Sequence, residues 1–548
     1  MAELARAPFE RRLAALKTAR SPYENDWRLL SDYLQPRKSR FFRTSAGHER
    51  DVKMLNSSPK YALRTLGSGM HAGLSSPARP WLRMITDDPE LMEWGPVRDH
   101  LTERTAILLS VLAQSNIYRS LHTTYRNEGQ FGTGVMVLDN DFNSVVRARV
   151  IPTGEFYLAA DGDDICRTLY RETTMTVNQW IGTVGLANVS PAVRRAYDRS
   201  DTEERIAVCH VIEANDERIP SRADWKGKAF RSAWWEVDTT ADAIAKVSGY
   251  EECPIIGARW DVLDLDAYGE GPGHDALNDG ISLQRMEIEK HRLIPKMADP
   301  PKAMPSSAKV YANTPASAGQ NFFMDGPPEA GRALYQVPSD IGPLVAEIQR
   351  TERRIDSGLY KDLFLMLAQS DMGQPVTARE IVERKEEKLL MVGPTVERQH
   401  AECLGPLVRR CDAMIARAGL YPEPPPELQR ANVSIDYLSP LAQAQKMVDA
   451  TAIERMATFI GNLAGISPQV VDKFDADQAA DEYARIIGVN SRVVVSDDKA
   501  AKIRAARAKQ QQQAQQMQMA SQAIEGARAM SETSLNGGNL LGRIAGVQ

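Results

Sequence analysis

At 548 residues the chain exceeds what one compact core holds, so several domains or one elongated subunit are expected. Hydrophobic residues at 43% and charged residues at 25% are ordinary for a globular protein. A formal net charge of −5 excludes a protein that coats nucleic acid by bulk electrostatics, though not one that merely surrounds it.

Five cysteines (Cys166, Cys209, Cys253, Cys403, Cys411) are odd in number, widely spaced and never arranged as CxxC. No disulfide framework or zinc site is expected, and a reducing compartment fits better. The N-terminus, MAELARAPFERRLAALKTAR, lacks the apolar run of a signal peptide. The longest uncharged window, Thr173 to Val193, carries Asn178, Gln179, Asn188 and Pro191, so no membrane span is expected. A soluble protein made in the cytoplasm is the expectation.

Residues 1–35 read as helices, with Phe9, Leu13 and Leu16 at helical spacing. Ser21-Pro22-Tyr23-Glu24 reads as a capping box opening a second helix that carries Trp27, Leu30 and Leu34. Arg37 to Arg50 reads as an exposed basic arm. Tyr61 to Leu74 and Val97 to Tyr118 read as helices. From Gly129 the texture becomes short, β-branched and alternating, which predicts a mixed-strand α+β domain over residues 130–262.

Helical spacing returns at Ala276, Ile281, Leu283 and Met286 and runs to Ile294. Residues 298–340 are rich in Pro, Gly, Ala and Ser and predict an irregular subdomain with one β-like piece at Lys309-Val310-Tyr311. One helix is predicted from Ile341 to Leu367, then a loop, QSDMGQPVT. Thr377 to Glu380 is a second capping box, opening a long helix that Gly393-Pro394 should kink and Gly419 should end. PEPPPE at 422–427 reads as a rigid linker, followed by helices near 440–463 and 468–487.

Chemistry is scarce. Gly67-Ser68-Gly69 with Gly73 resembles a nucleotide-binding glycine cluster, but no strand precedes it, and close helix packing is the better reading. Gly269, Gly271 and Gly273 follow a strand, yet Pro272 removes an N–H that a phosphate would need, so a strand-to-helix turn is expected. No HxxxH, GxSxG or GxxxxGK[ST] occurs, and neither catalytic residue, metal nor cofactor is predicted. His400 reads as a packed core or interface residue. Asp163-Asp164 and Glu386-Glu387 read as solvated surface, and Arg353-Arg354, Arg409-Arg410 and Lys499 to Lys509 as solvated faces or subunit contacts.

Several ordered fragments resemble the portal (head-to-tail connector) proteins of T7-like short-tailed bacteriophages. They are WRLLSDYLQP (27–36), AGLSSPARPWLRM, FGTGVMVL with IPTGEFYLAADGDD and LYRETTMTVNQW, and VTAREIVERKEEKLLMVGPTVERQHAECLGPLVRRC. The most telling is YEECPIIGARWDVLDLDAYGEGPGHDALND, with Tyr250, Pro254, Arg259, Trp260, Tyr268, Gly269, Gly271 and Pro272. The likeness spans residues 24–435 and says little about the final hundred.

The resemblance implies a predominantly helical α+β portal fold. It also implies a dodecameric ring at one capsid vertex of the virion, through which double-stranded DNA is packaged and ejected. Implied partners are the terminase large subunit, major capsid and scaffolding proteins and tail adaptors, with no cofactor and no membrane. It implies a wing at 1–268, a first stem helix at 269–299, a clip at 300–338 and a second stem helix at 339–366. A tunnel loop would occupy 367–377, and a kinked helix and crown 378–488. Implied DNA-channel residues are Gln369, Ser370, Asp371, Met372 and Gln374; implied clip contacts are Lys302, Lys309 and Tyr311. The rival readings are a non-viral helical oligomeric scaffold and a nucleic-acid-processing enzyme without a recognisable motif.

The tail, DKAAKIRAARAKQQQQAQQMQMASQAIEGARAMSE from Asp498, is proline-free and filled with strong helix formers. Its stripe, including Ile503, Ala506, Met517 and Ile524, is too small and polar to hold a lone helix. It suits a helix beside copies of itself, a barrel helix over 489–535 ordered in the oligomer, with 536–548 loose.

Overall fold

The computed structural model describes residues 4–36, 54–88, 91–92, 94–239, 243–264, 266–298, 302–305, 321–324, 332–333, 340–369, 392–438, 440–465, 467–487 and 497–532. Two compact units emerge. The first comprises residues 1–84, 103–423 and 435–446, and the second 85–102, 424–434 and 447–548.

The first unit is built around two antiparallel sheets. Five strands, Phe156–Ala160, Cys166–Thr176, Arg205–Ala214, Phe230–Glu236 and Lys246–Tyr250, pair in chain order as a meander. A three-stranded sheet places Thr133–Asp141 between Val145–Ile151 and Ile255–Arg259. The predicted strand texture is present. So are two short helices the sequence reading missed, Val177–Val184 and Pro191–Asp198. Both carry legible signals: Thr176 and Gln179 form a reciprocal capping box, and Ser190 caps the second ahead of its proline. Among the described residues no helix is long and apolar enough to cross a membrane.

The N-terminal helix runs unbroken from Ala7 to Tyr33 with Pro22 inside it, rather than as two helices. Tertiary packing overrides the proline. On one side Phe9 and Leu13 bury against Tyr157, Tyr170, Cys209 and Trp235 of the meander. On the other, Trp27, Leu30 and Leu34 enter the central core with Phe131, Phe156 and Leu283. Glu24, expected to close a capping box, instead accepts from Arg20 Nε and Nη2 at 3.1 and 2.6 Å. Arg20 Nη1 in turn donates to the Gly154 and Phe156 carbonyls.

Helices span Ser58–Leu74, Gly95–Gln114 and Ile117–Phe131; the helix expected over Val97–Tyr118 ends at Gln114, and the last is a separate helix that the sequence reading does not assign. Gly67 and Gly69 serve close packing, as expected: a Cβ on either would lie 2.1 Å from Arg126 Cγ or Phe364 Cγ. The Gly269–Gly273 turn is likewise a tight strand-to-helix junction. A Cβ on Gly271 or Gly273 would fall 2.5 or 2.3 Å from the Glu128 or Gln130 carbonyl oxygen.

From that junction the Pro272–Ala298 helix emerges and packs along Gly342–Gly358. The single helix expected over 341–367 is two: Tyr360 takes a left-handed φ of 54°, and a second helix, Lys361–Gln369, starts there. Leu359 buried in the core and the Trp260–Tyr360 ring contact hold the break. Between the long helices, Lys302–Pro305 pairs parallel with Asn321–Met324 and antiparallel with Arg332–Ala333. The β-like piece predicted at 309–311 lies outside the described residues.

After residue 391 the helix passes Gly393-Pro394 and becomes a π turn over Gln399–Leu404 before continuing as Gly405–Arg417. The irregularity therefore precedes Gly405-Pro406. A proline ring there would clash with an α-helical carbonyl four residues back, and the wider turn relieves it. Gly419, with φ 68°, ends the helix as predicted. The expected linker at 422–427 leads into a 3-10 turn, Pro426–Arg430, and an unpredicted strand, Val433–Tyr437, which pairs with Leu82–Thr86. In the second unit, Ala476–Ile487 and Asp497–Glu532 are helical, and an Arg504–Asp477 fork joins them at 2.6 Å.

Candidate conduit elements and the network behind them

The two long antiparallel helices meet through Leu283, Ile348 and Ile355, all buried. Gln284 and Glu287 are buried too, which needs a reason for polar side chains. Asn56 supplies it. Gln284 Oε1 accepts from the backbone N–H of Leu55 and Asn56 at 2.7 and 2.9 Å, and its Nε2 donates to the Asn56 carbonyl at 2.8 Å. Asn56 Nδ2 then donates to Glu287 and to Glu352 at 3.0 and 2.8 Å, so one amide staples both long helices. Burial alone would raise the Glu287 pKa, but hydrogen bonds from Lys290 and Asn56 outweigh it and hold the carboxyl below its usual range.

Three exposed arginines on this pair are countered locally. Arg292, Arg350 and Arg354 lie 2.8, 3.4 and 3.1 Å from Glu289, Glu347 and Asp279. Arg285, Lys296 and Arg353, also exposed on the pair, bridge to no carboxylate among the described residues.

Behind the helix pair sits a buried ionic network on the π turn. Arg259, wholly buried, forks onto Glu402 at 2.9 and 3.0 Å and reaches Asp164 Oδ1 at 3.1 Å and the Asp266 carbonyl at 2.8 Å. Arg398 adds a bond to Glu402 at 2.9 Å. Glu128 lies close by, fully buried, with neither carboxylate oxygen hydrogen-bonded. Burial, aided by the Glu402 charge and only partly offset by Gln399, pushes its pKa well above the usual value. Burial there favours the protonated carboxyl over the charged one.

The predicted residues fall as follows. Gln369 is the last residue of the Lys361–Gln369 helix, while Ser370, Asp371, Met372 and Gln374 lie outside the described residues. Lys302 opens a short strand; Lys309 and Tyr311 are outside the described residues. Ile503, Ala506 and Met517 are exposed on the Asp497–Glu532 helix, which also contains Ile524. Arg410, read as solvated, is only 2% exposed and donates to the Leu138 and Glu252 carbonyls. Asp164, also read as surface, is a partner of Arg259. His400 is packed, stacking on Tyr437 at 3.9 Å. Asn56, Glu128 and Glu402 were missed. For Glu402 a signal existed: a carboxylate beside Cys403 and Leu404 on an apolar helix stripe.

Residues 6–494 match the family described as bacteriophage head to tail connecting protein. The chain belongs to that family. It is 37% identical over 551 residues to the portal protein of Salmonella phage epsilon15, covering 100% of this chain and 99% of that one. It is also 37% identical over 533 residues to the probable portal protein of Bordetella phage BPP-1, covering 97% and 96%. A solved chain from the neck of an empty gene transfer agent particle shares 12% identity at a TM-score of 0.31, covering 73% of this chain and 86% of that chain, and adds no weight. The portal assignment makes this a structural protein of the virion rather than an enzyme. It forms the ring-shaped head-to-tail connector of the portal vertex, through which DNA passes.

Proposed function

We propose that the chain builds a dodecameric portal of the short-tailed, T7-like kind. The ring docks the terminase large subunit during packaging and tail adaptors afterwards, and meets the major capsid and scaffolding proteins at its rim. The segments take the roles expected from the sequence: wing 1–268, stem helices 269–299 and 339–366, clip 300–338 with Lys302, Lys309 and Tyr311. The tunnel loop at 367–377 presents Gln369, Ser370, Asp371, Met372 and Gln374 to the duplex. Residues 378–488 form the kinked helix and crown, and 489–535 a helical barrel.

The observation that carries this reading is the long helix pair, stapled through Asn56, on which Arg292, Arg350 and Arg354 are already matched by carboxylates. Each phosphate paired with Lys or Arg adds salt-dependent affinity, so a conduit works best when its cations are countered. The loop sequence QSDMGQPVT supports it by offering no cation. No GxxxxGK[ST] occurs, so the packaging motor's ATP hydrolysis is assigned to the partner. The test is an ATPase assay on purified rings, with and without terminase. Hydrolysis is expected only with the partner; robust hydrolysis by the ring alone overturns the reading.

A further inference from the structure

Ring closure needs a head-to-tail contact, in which one face of each protomer meets a different face of the next. The first unit carries two exposed faces whose charges are unanswered within the described residues. One lies on the Ser58–Leu74 and Ile117–Phe131 helices. Arg126 packs over Gly67 and donates to Gln35 at 2.7 Å, and among the described residues neither Arg126 nor Arg64 meets a carboxylate. Burial and the Arg64 charge both lower the Arg126 pKa, so its neighbour is another cation. Arg64 lies over the Tyr61 ring at 5.8 Å, and Tyr61 is 58% exposed.

The second face surrounds the Gly269–Gly273 turn. Asp26, Asp261, Asp266, Glu270 and Asp275 are all exposed. They are close together: Asp261 and Glu270 exchange backbone bonds at 2.8 and 3.1 Å. Glu270, Asp26 and Asp275 all bear on His274, where burial outweighs them and lowers its pKa. Burial and then Asp266 raise Tyr23 to about 12. Among the described residues no Lys or Arg pairs with the carboxylate of any of these five, Arg259 reaching only the Asp266 carbonyl. Leu263, 59% exposed, sits in the same loop.

We infer that these two faces meet across the ring, the acidic turn around Leu263 of one protomer docking on Tyr61, Arg64 and Arg126 of the next. An arginine beside an aromatic, facing an apolar residue ringed with carboxylates, is the composition of a binding hot spot. Charges left bare in one protomer are thereby answered in the assembly. The inference rests on the ring reading above and specifies which surfaces close it.

The test uses two full-length variants, R64E/R126Q and D261K/E270K, beside the wild type, read by sedimentation and negative-stain microscopy. R126Q keeps a side chain able to pack on Gly67. A melting midpoint near that of wild-type monomer establishes that each variant folds, and R64E alone serves if the double variant does not. Each variant alone is expected as monomer, because like charges meet at every interface. An equimolar mixture is expected to recover rings of alternating protomers, because each mixed interface again pairs opposite charges. Rings from either folded variant alone, or folded monomers that stay apart on mixing, overturn the pairing. Wild type that forms no rings overturns the ring reading itself, a distinguishable failure.

Discussion

The two sheets of the first unit and the Asp497–Glu532 helix of the second are both regular, yet they are sustained by opposite means. The sheets are clamped by packing: Trp27, Phe131, Phe156, Leu169 and Ile255 share one core, and the N-terminal helix stays continuous through Pro22 because that core holds one end while Phe9 and Leu13 anchor the other in a second. From residue 501 to 517 the C-terminal helix is exposed at every position, with Ile503 and Met517 at 51% and 74%. Propensity, backbone hydrogen bonds and the exposed Arg504–Asp477 fork carry it, whereas most helical stability ordinarily comes from packing. In the first region tertiary structure overrules local signals. In the second, local signals act with little packing beside them, which suits an element whose partners are copies of itself.

The largest predicted effect lies in the packed region. Arg259→Met leaves Glu402 and Asp164 without their shared cation, and removing one partner of a buried pair costs about 3–5 kcal/mol. Urea denaturation of the variant should show that loss, and a change below about 1 kcal/mol would remove the network from the account.

Next comes a pH effect at Glu128. Its folded pKa lies above the ordinary 4.5, so its contribution is full below about pH 4.5 and falls as pH rises toward the folded pKa. Glu128→Gln cannot ionise, so its stability relative to wild type should be flat below pH 4.5. Above that it should gain at up to about 1.4 kcal/mol per pH unit. A difference that shrinks with rising pH would show Glu128 ionised in the fold.

Asn56→Ala removes one amide from two carboxylates and should cost about 1–3 kcal/mol, read by thermal denaturation. Smallest of all, Met517→Ala in dissociated protomers should change stability by less than about 0.5 kcal/mol. A larger loss in the free protomer would mean that the helix is already packed there and would erase the contrast.

Legibility in the sequence followed the same divide. Where local chemistry decides, residues declared themselves: the glycines at 67 and 69 as close-packing positions, those at 269, 271 and 273 as a strand-to-helix turn, Gly419 as a helix end, the strand alternation over 130–262, and the helical tail. Where tertiary contacts decide, they did not. Pro22 reads as a helix start because nothing in its neighbourhood announces that Phe9 and Trp27 anchor both sides. Asn56, Gln284 and Glu352 are far apart in the chain, and no spacing rule joins them. The π turn precedes Gly405-Pro406, where helical spacing alone announces no irregularity. The family resemblance added what periodicity could not, since Arg259 and Tyr268, quoted for likeness alone, are the buried hub of the network and a core residue.

Cryo-electron microscopy of the purified full-length chain, without nucleotide, tests the central claim most directly. The account predicts a closed hollow ring with the Asp497–Glu532 helices side by side around its axis. Monomers, filaments, or a ring from which those helices splay apart would contradict it.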